Sequence, residues 1–373
     1  VLSLRVLRGS RPAALARWAV VVAASAGTGL LLLTSLGWAL AHPEHGATDA
    51  VVRLGWCVVP VVVTVQLAVA VGRAQPTGWP RSGLAAVGLG RTGLVLLAAA
   101  TTALVCAIGS VIALLAFLQL RGDVTGVPFG GVGPGLLAAG RPLPLAGAVT
   151  LMALVPAAAA AASAARLRPE TTPAHDAPRG LPWGVALTAV GLAVEMTATR
   201  GYALPLPSGL GSIPPAAVGG WVVATAGLTL AGPGLVYGCG RLLAWFRPGA
   251  LRLLAGRALQ HESRAIGRPL GLLCATAAAG LAVYGFQLSA GRPLGPVTVF
   301  AAALIALCVL ATSSLTLWQT RPGRAEAASA LRDVAASPAL LRAALALRTV
   351  ILLATLLPAT ILVALLSSIP TTP

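Results

Sequence analysis

Glu195 lies near the end of an otherwise apolar run, 181–199. An acid at membrane depth is a functional candidate, because a charge there needs a partner or a proton. The blander expectation is snorkelling, with the carboxyl and Arg200 five residues on both reaching the interface. His42-Pro43-Glu44-His45 is the one cluster with metal-type ligands. Pro43 and the loop setting leave no helix to fix a coordination geometry, so a solvated loop is expected and no metal. His175-Asp176 falls in a polar linker and His261-Glu262 in a basic one, and no nucleophile stands beside a base. No catalytic residue is expected. All 26 basic residues are arginine. Without lysine there is no G-x-x-x-x-G-K-[ST] loop, so the chain cannot hold ATP by that route. The glycine clusters Gly88-Leu89-Gly90 and Gly130-Gly131 follow no strand and read as turns or close helix contacts, so no bound cofactor is expected. Cys57, Cys106, Cys239, Cys274 and Cys308 all lie inside apolar runs and read as small buried hydrophobes. Thr312-Ser313-Ser314 either lines a cavity or binds helices together.

The elements that carry these residues follow from composition. Hydrophobic residues make up 57% of the 373, and charged residues only 9%. A soluble domain carries roughly 25% charge, which excludes the soluble class. The net charge of +17 is spread over short gaps rather than gathered on a basic, aromatic-bearing face, so nucleic acid is not an expected partner and membrane lipids are. Each crossing helix needs about 20 apolar residues. Runs of that kind recur at 18–41, 52–72, 93–120, 143–165, 181–199, 216–240, 269–289, 295–318 and 347–369. Helices are the default because lipid offers no partners to backbone polar groups. The fold class is therefore all-α, a polytopic transmembrane helical bundle of about nine spans (eight to ten). Arg5, Arg8, Arg11 and Arg17 ahead of the first run, with Ala39-Leu40-Ala41 behind it, imitate a secretory signal. The run is longer than a signal core, so an uncleaved first span is expected.

Arginine placement sets the expected orientation. With the N-terminus in the cytoplasm, 21 arginines fall in inside segments, and Arg53, Arg121, Arg141, Arg200 and Arg292 make the five outside. That asymmetry follows the positive-inside rule. The outside loops are too short for a folded external domain. Two inside segments carry their own helical pattern. Segment 247–268 lines up Leu251, Leu254, Ala258 and Leu259, and is expected to form an interfacial helix leading into a span. Segment 325–346 places Leu331, Val334, Pro338, Leu341 and Leu345 at spacings of three and four. Ser337-Pro338 interrupts it, so two short helices are expected, with Ser337 as N-cap and Pro338 in the first turn. Leu4–Thr34 and Leu251–Phe286 share one order of basic then Ala-rich apolar sequence, a weak internal repeat of the kind transport proteins show.

Several stretches together carry a family resemblance. Leu4-Arg5-Val6-Leu7-Arg8 approaches the first span, and Gly83-Leu84-Ala85-Ala86-Val87-Gly88-Leu89-Gly90-Arg91 precedes the third. Gly140-Arg141-Pro142-Leu143-Pro144 opens the fourth. Leu331-Arg332-Asp333-Val334-Ala335-Ala336-Ser337-Pro338-Ala339-Leu340-Leu341-Arg342 precedes the last. The chain resembles an FtsX-like ABC-transporter permease of the ten-span kind found in peptide and antibiotic export. It departs from that plan in the Gly- and Pro-bearing stretch Pro76–Arg81, in having nine runs rather than ten, and in lacking a large external domain. The resemblance implies two FtsX-like halves, a first unit at 1–170 and a shortened second unit at 247–373, linked by spans within 171–246. It implies ATPase coupling through Gly88, Arg91, Leu331, Arg332, Ser337, Pro338, Leu341 and Arg342. It also implies a separate ATP-binding subunit as partner, pairing with another copy or another permease, a bacterial plasma-membrane location, and export or extraction of a hydrophobic or amphipathic substrate. The readings set beside it are a non-transporting scaffold derived from a permease and an ion-coupled secondary transporter.

Overall fold

The structure is a computed structural model. It describes residues 12–73, 91–123, 141–166, 180–197, 204–205, 212–213, 215–245, 249–290, 295–321, 329 and 337–368. The elements are α1 (Pro12–Ala41), a single 3-10 turn (Pro43–His45), α2 (Gly46–Trp56), α3 (Val58–Arg73), α4 (Arg91–Arg121), α5 (Leu145–Arg166) and α6 (Gly180–Thr197). After α6 come β1 (Leu204–Pro205), β2 (Ser212–Ile213), α7 (Pro215–Ala244), α8 (Ala250–Ala290), α9 (Pro296–Gln319) and α10 (Pro338–Ser368). The two strands are a minimal antiparallel pair, Leu204 opposite Ile213 and Pro205 opposite Ser212. Everything else among the described elements is helix.

Nine helical stretches among the described residues are long and apolar enough to cross a bilayer. The protein is an all-α, multi-pass membrane protein. Its outward faces are aliphatic, with Leu115, Leu353, Leu357 and Leu365 each more than half exposed, while Ser25, Thr28, Thr64 and Thr102 are buried. That inversion suits a lipid solvent, where hydroxyls bind helices together and alkyl groups face out.

Local chemistry explains the element ends. α1, α7, α9 and α10 each open with a proline, whose missing N–H would have had no helical partner there. The second crossing is built from two helices, α2 and α3, broken at Cys57. Pro60 lacks the N–H that would pair with the Trp56 carbonyl, and the helix breaks where that bond is lost. α4 stops in a Schellman motif. The Asp123 N–H donates to the Leu118 carbonyl at 3.0 Å and the Gly122 N–H to Gln119 at 3.1 Å. Gly122 takes φ 86°, which a residue without Cβ adopts freely.

Two expectations need correction. Segment 247–268 is not a separate interfacial helix. α8 runs unbroken for 41 residues with Pro269 inside it, about 60 Å of helix. Its apolar side packs on α7 and α10, so the stripe that suggested a lipid surface meets protein. The second short helix after Ser337 is likewise not short, since α10 continues to Ser368. The expected first short helix lies outside the described residues apart from Ser329.

The chain divides into two compact units, 1–170 with 295–308, and 171–294 with 309–373. In the first, α1 is the central helix. The Ser25 hydroxyl donates to the Cys106 carbonyl at 2.8 Å, and the Thr28 and Thr64 hydroxyls pair at 2.7 Å. Thr102 and Ser163 pair at 3.0 Å. These bonds tie α1 to α4, α1 to α3 and α4 to α5. A methyl at Gly109 would sit 2.6 Å from the Val22 carbonyl oxygen, so α1 and α4 touch backbone to backbone.

In the second unit α7 is central and carries glycine on two faces. Gly220, Gly227 and Gly234 meet α6, where Gly184 and Gly191 answer them at the same interval of seven. Gly232 and Gly240 meet Gly267 and Gly256 of α8. A seven-residue interval keeps small residues on one seam of a left-handed crossing. α10 joins through side chains instead, with Leu228, Cys274, Ala278, Leu356 and Val363 forming one buried cluster.

Candidate functional site

The arginine-rich end of the second unit is built from the end of α7, the first half of α8 and the first turns of α10. Ser337 is the N-cap of α10: its hydroxyl accepts from the Leu340 N–H at 3.3 Å. Pro338 follows in the first turn, as a helix start favours. Arg342 Nε donates to the Pro338 carbonyl at 3.4 Å. Leu341 is half-buried and Arg342 exposed. Beneath them, Val236, Leu243, Ala255, Leu259 and Ala344 form a buried cluster that locks α7, α8 and α10 together. Arg348 and Glu262 add an ion pair at 3.7 Å, both side chains about 15% exposed.

Of the proposed coupling residues, Ser337, Pro338, Leu341 and Arg342 thus share one helix start. Gly88, Leu331 and Arg332 lie outside the described residues. Arg91 is the first residue of α4, in the other unit. The ion pair carried no signal in the sequence, where Glu262 reads as part of a basic linker. Only the continuity of α8 turns it toward α10.

At the opposite end of this unit Glu195 does not snorkel. It is 1% exposed, and neither carboxyl oxygen has a hydrogen-bond partner among the described protein atoms. The Ser367 hydroxyl and Trp221 indole lie close to it without reaching bonding geometry. The carboxyl lines a cavity of about 40 Å³ walled by Trp221 and Thr225 of α7, Ala278 and Ala282 of α8, and Val363 and Ser367 of α10. Thr225 donates its own proton to the Trp221 carbonyl at 2.8 Å. Gly220 makes the room: a Cβ there would stand 2.6 Å from Glu195 Cγ.

In the first unit, three of the arginines counted as outside make contacts near the ends of α1 and α4. Arg121 pairs with Asp123 at 3.1 Å and donates to the Arg141 carbonyl. Arg141 donates to the Leu40 carbonyl at 2.8 Å. Arg53 lies over the Trp38 ring at 4.1 Å, and His42 stacks on the same indole at 4.9 Å with Nδ1 3.1 Å from the Trp38 carbonyl. The His42 ring is thus held against its own helix end. Ser313 donates to the Pro269 carbonyl at 3.5 Å, which favours helix binding over cavity lining for the Thr312–Ser314 run.

Compared with family models, with curated proteins and with solved structures, the chain matches none.

Proposed function

We propose that this multi-pass protein is the permease subunit of an ABC-type exporter, FtsX-like in plan, driven by a separate ATP-binding subunit. It sits in a bacterial plasma membrane with its N-terminus and arginine-rich segments in the cytoplasm. ATP hydrolysis belongs to the partner. The permease itself works paired with another copy or another permease and moves a hydrophobic or amphipathic substrate.

The observation that carries this reading is the continuity of α10. The Ser337-capped start, with Leu341 and Arg342 on its surface, belongs to the same continuous helix as the last span, with Pro358 in its interior. The apolar cluster and the Glu262–Arg348 pair bind that start to α8, itself one unbroken helix. A push on Ser337–Arg342 is therefore delivered into two spans through continuous helix. A scaffold would not require such continuous connections.

The test places a photocrosslinking residue at Leu341 and at Arg342 in native membranes and identifies the adducts by mass spectrometry. The expected adduct is a nucleotide-binding subunit, and Leu341→Asp should abolish its co-purification and the stimulation of its ATPase. Impermeant thiol reagents that label Arg342→Cys from outside intact cells would sink the proposal.

A further inference from the structure

We propose that Glu195 is a proton-binding site, a carboxyl that takes up and releases one proton inside the membrane-embedded part of the second unit. The argument is geometric. The side chain is 1% exposed and neither oxygen is bonded to the described protein atoms. An ionised carboxylate left this way is strongly disfavoured, and such groups neutralise instead. Neutralisation needs either a cation or a proton, and the walls decide between them. A divalent cation takes about six to eight oxygen ligands. Beside the carboxyl, the described walls offer the hydroxyls of Thr225 and Ser367, and the rest is alanine, valine and indole. The cavity of about 40 Å³ holds roughly one to three waters, too little for a substituted ammonium group.

Four elements face the carboxyl. α6 contributes Glu195 itself, α7 Trp221 and Thr225, α8 Ala278 and Ala282, and α10 Val363 and Ser367. Among the described residues none of these brings another ionisable group to the cavity. Arg200 and Arg292 lie outside the described residues. The step is a simple transfer: one hydronium gives its proton to a Glu195 oxygen and leaves as water. The reverse restores the carboxylate, and no oxidant or second reactant enters. The site does not depend on the ATPase reading, and it would stand in a secondary carrier as well.

Dicyclohexylcarbodiimide, an apolar reagent that adds to protonated carboxyls, tests this on the full chain in liposomes, with peptide mapping of the adduct. Infrared spectra of the same samples report the carboxylic-acid C=O band. The expected result is an adduct on Glu195 and an acid band, both falling as pH rises, and both lost in Glu195→Gln. Sodium and magnesium should not protect the residue. Gln copies a protonated carboxyl, so the variant should keep the wild-type unfolding midpoint. Absence of both adduct and band overturns the proposal, as does an adduct and band that never change with pH. Protection by either cation overturns it in favour of a metal site, and a Glu195→Gln midpoint well below wild type means the carboxyl was charged and paired.

Discussion

Gly191→Ala adds one methyl at the α6–α7 seam. The new carbon would stand 2.8 Å from Ala224 Cα and 2.7 Å from the Gly220 carbonyl oxygen, with the Ala224 nitrogen closer still. Carbon pairs are comfortable at about 3.5–4.0 Å, so the helices must part by roughly 0.7 Å or more. Backbone cannot rotate aside as a side chain can. Overpacking of this kind costs about 1–3 kcal/mol. Alanine is also the better helix former by about 1 kcal/mol, which opposes the clash and must be removed. Gly238→Ala on α7 does so, because nothing lies within 4 Å of a Cβ there. Gly219→Ala serves as a second control for the same reason. The difference in unfolding free energy between Gly191→Ala and Gly238→Ala should be about 1–3 kcal/mol, with the control at or above wild type. Denaturant unfolding in detergent micelles, followed by tryptophan fluorescence, measures it. Equal stabilities for the two variants would refute backbone contact at this seam.

Two further outcomes follow from the hydrogen bonds and charges. In a double-mutant cycle of Thr28→Val and Thr64→Val, the 2.7 Å hydroxyl pair should couple by about 0.6 kcal/mol and no more than about 1.7 kcal/mol; zero coupling by the same unfolding assay would mean the hydroxyls serve only their own helices. Glu262→Arg and Arg348→Glu should each destabilise the protein, and the double swap should recover much of the loss, since the pair at 3.7 Å joins α8 to α10; a swap no more stable than the worse single variant would deny the contact.

The nine crossings among the described residues were legible in the sequence, because an uninterrupted apolar run of bilayer length has few other uses. Their ends were not. The stripe Leu251, Leu254, Ala258 and Leu259 made the first half of α8 read as a separate interfacial segment, 247–268. In the structure Arg252 and Arg257 are exposed, Leu251, Leu254 and Leu259 meet α7 and α10, and the helix passes through Pro269. The N-cap at Ser337 was readable because Ser-Pro fixes a helix start by local chemistry alone. Glu195 could be singled out as an acid in an apolar run, but its burial could not. That burial depends on Gly220 at another point in the chain, which spares just enough space for the side chain. Glycine–glycine matching between α6, α7 and α8 is invisible until the helices are paired, since each glycine taken singly also fits a turn.

The seam between α6 and α7 bears on biogenesis. α6 has 18 residues, about 27 Å of helix, and so barely spans the hydrocarbon. Its one carboxyl adds a penalty of about 2.5–3.5 kcal/mol if charged during insertion. Alone in a translocon's lateral gate, such a segment gains little by partitioning into lipid. Packed on α7 along the glycine seam and turned back on it by the Leu204–Ile213 pairing, it is half of a hairpin whose longer arm, of 30 residues, can hold both in the bilayer.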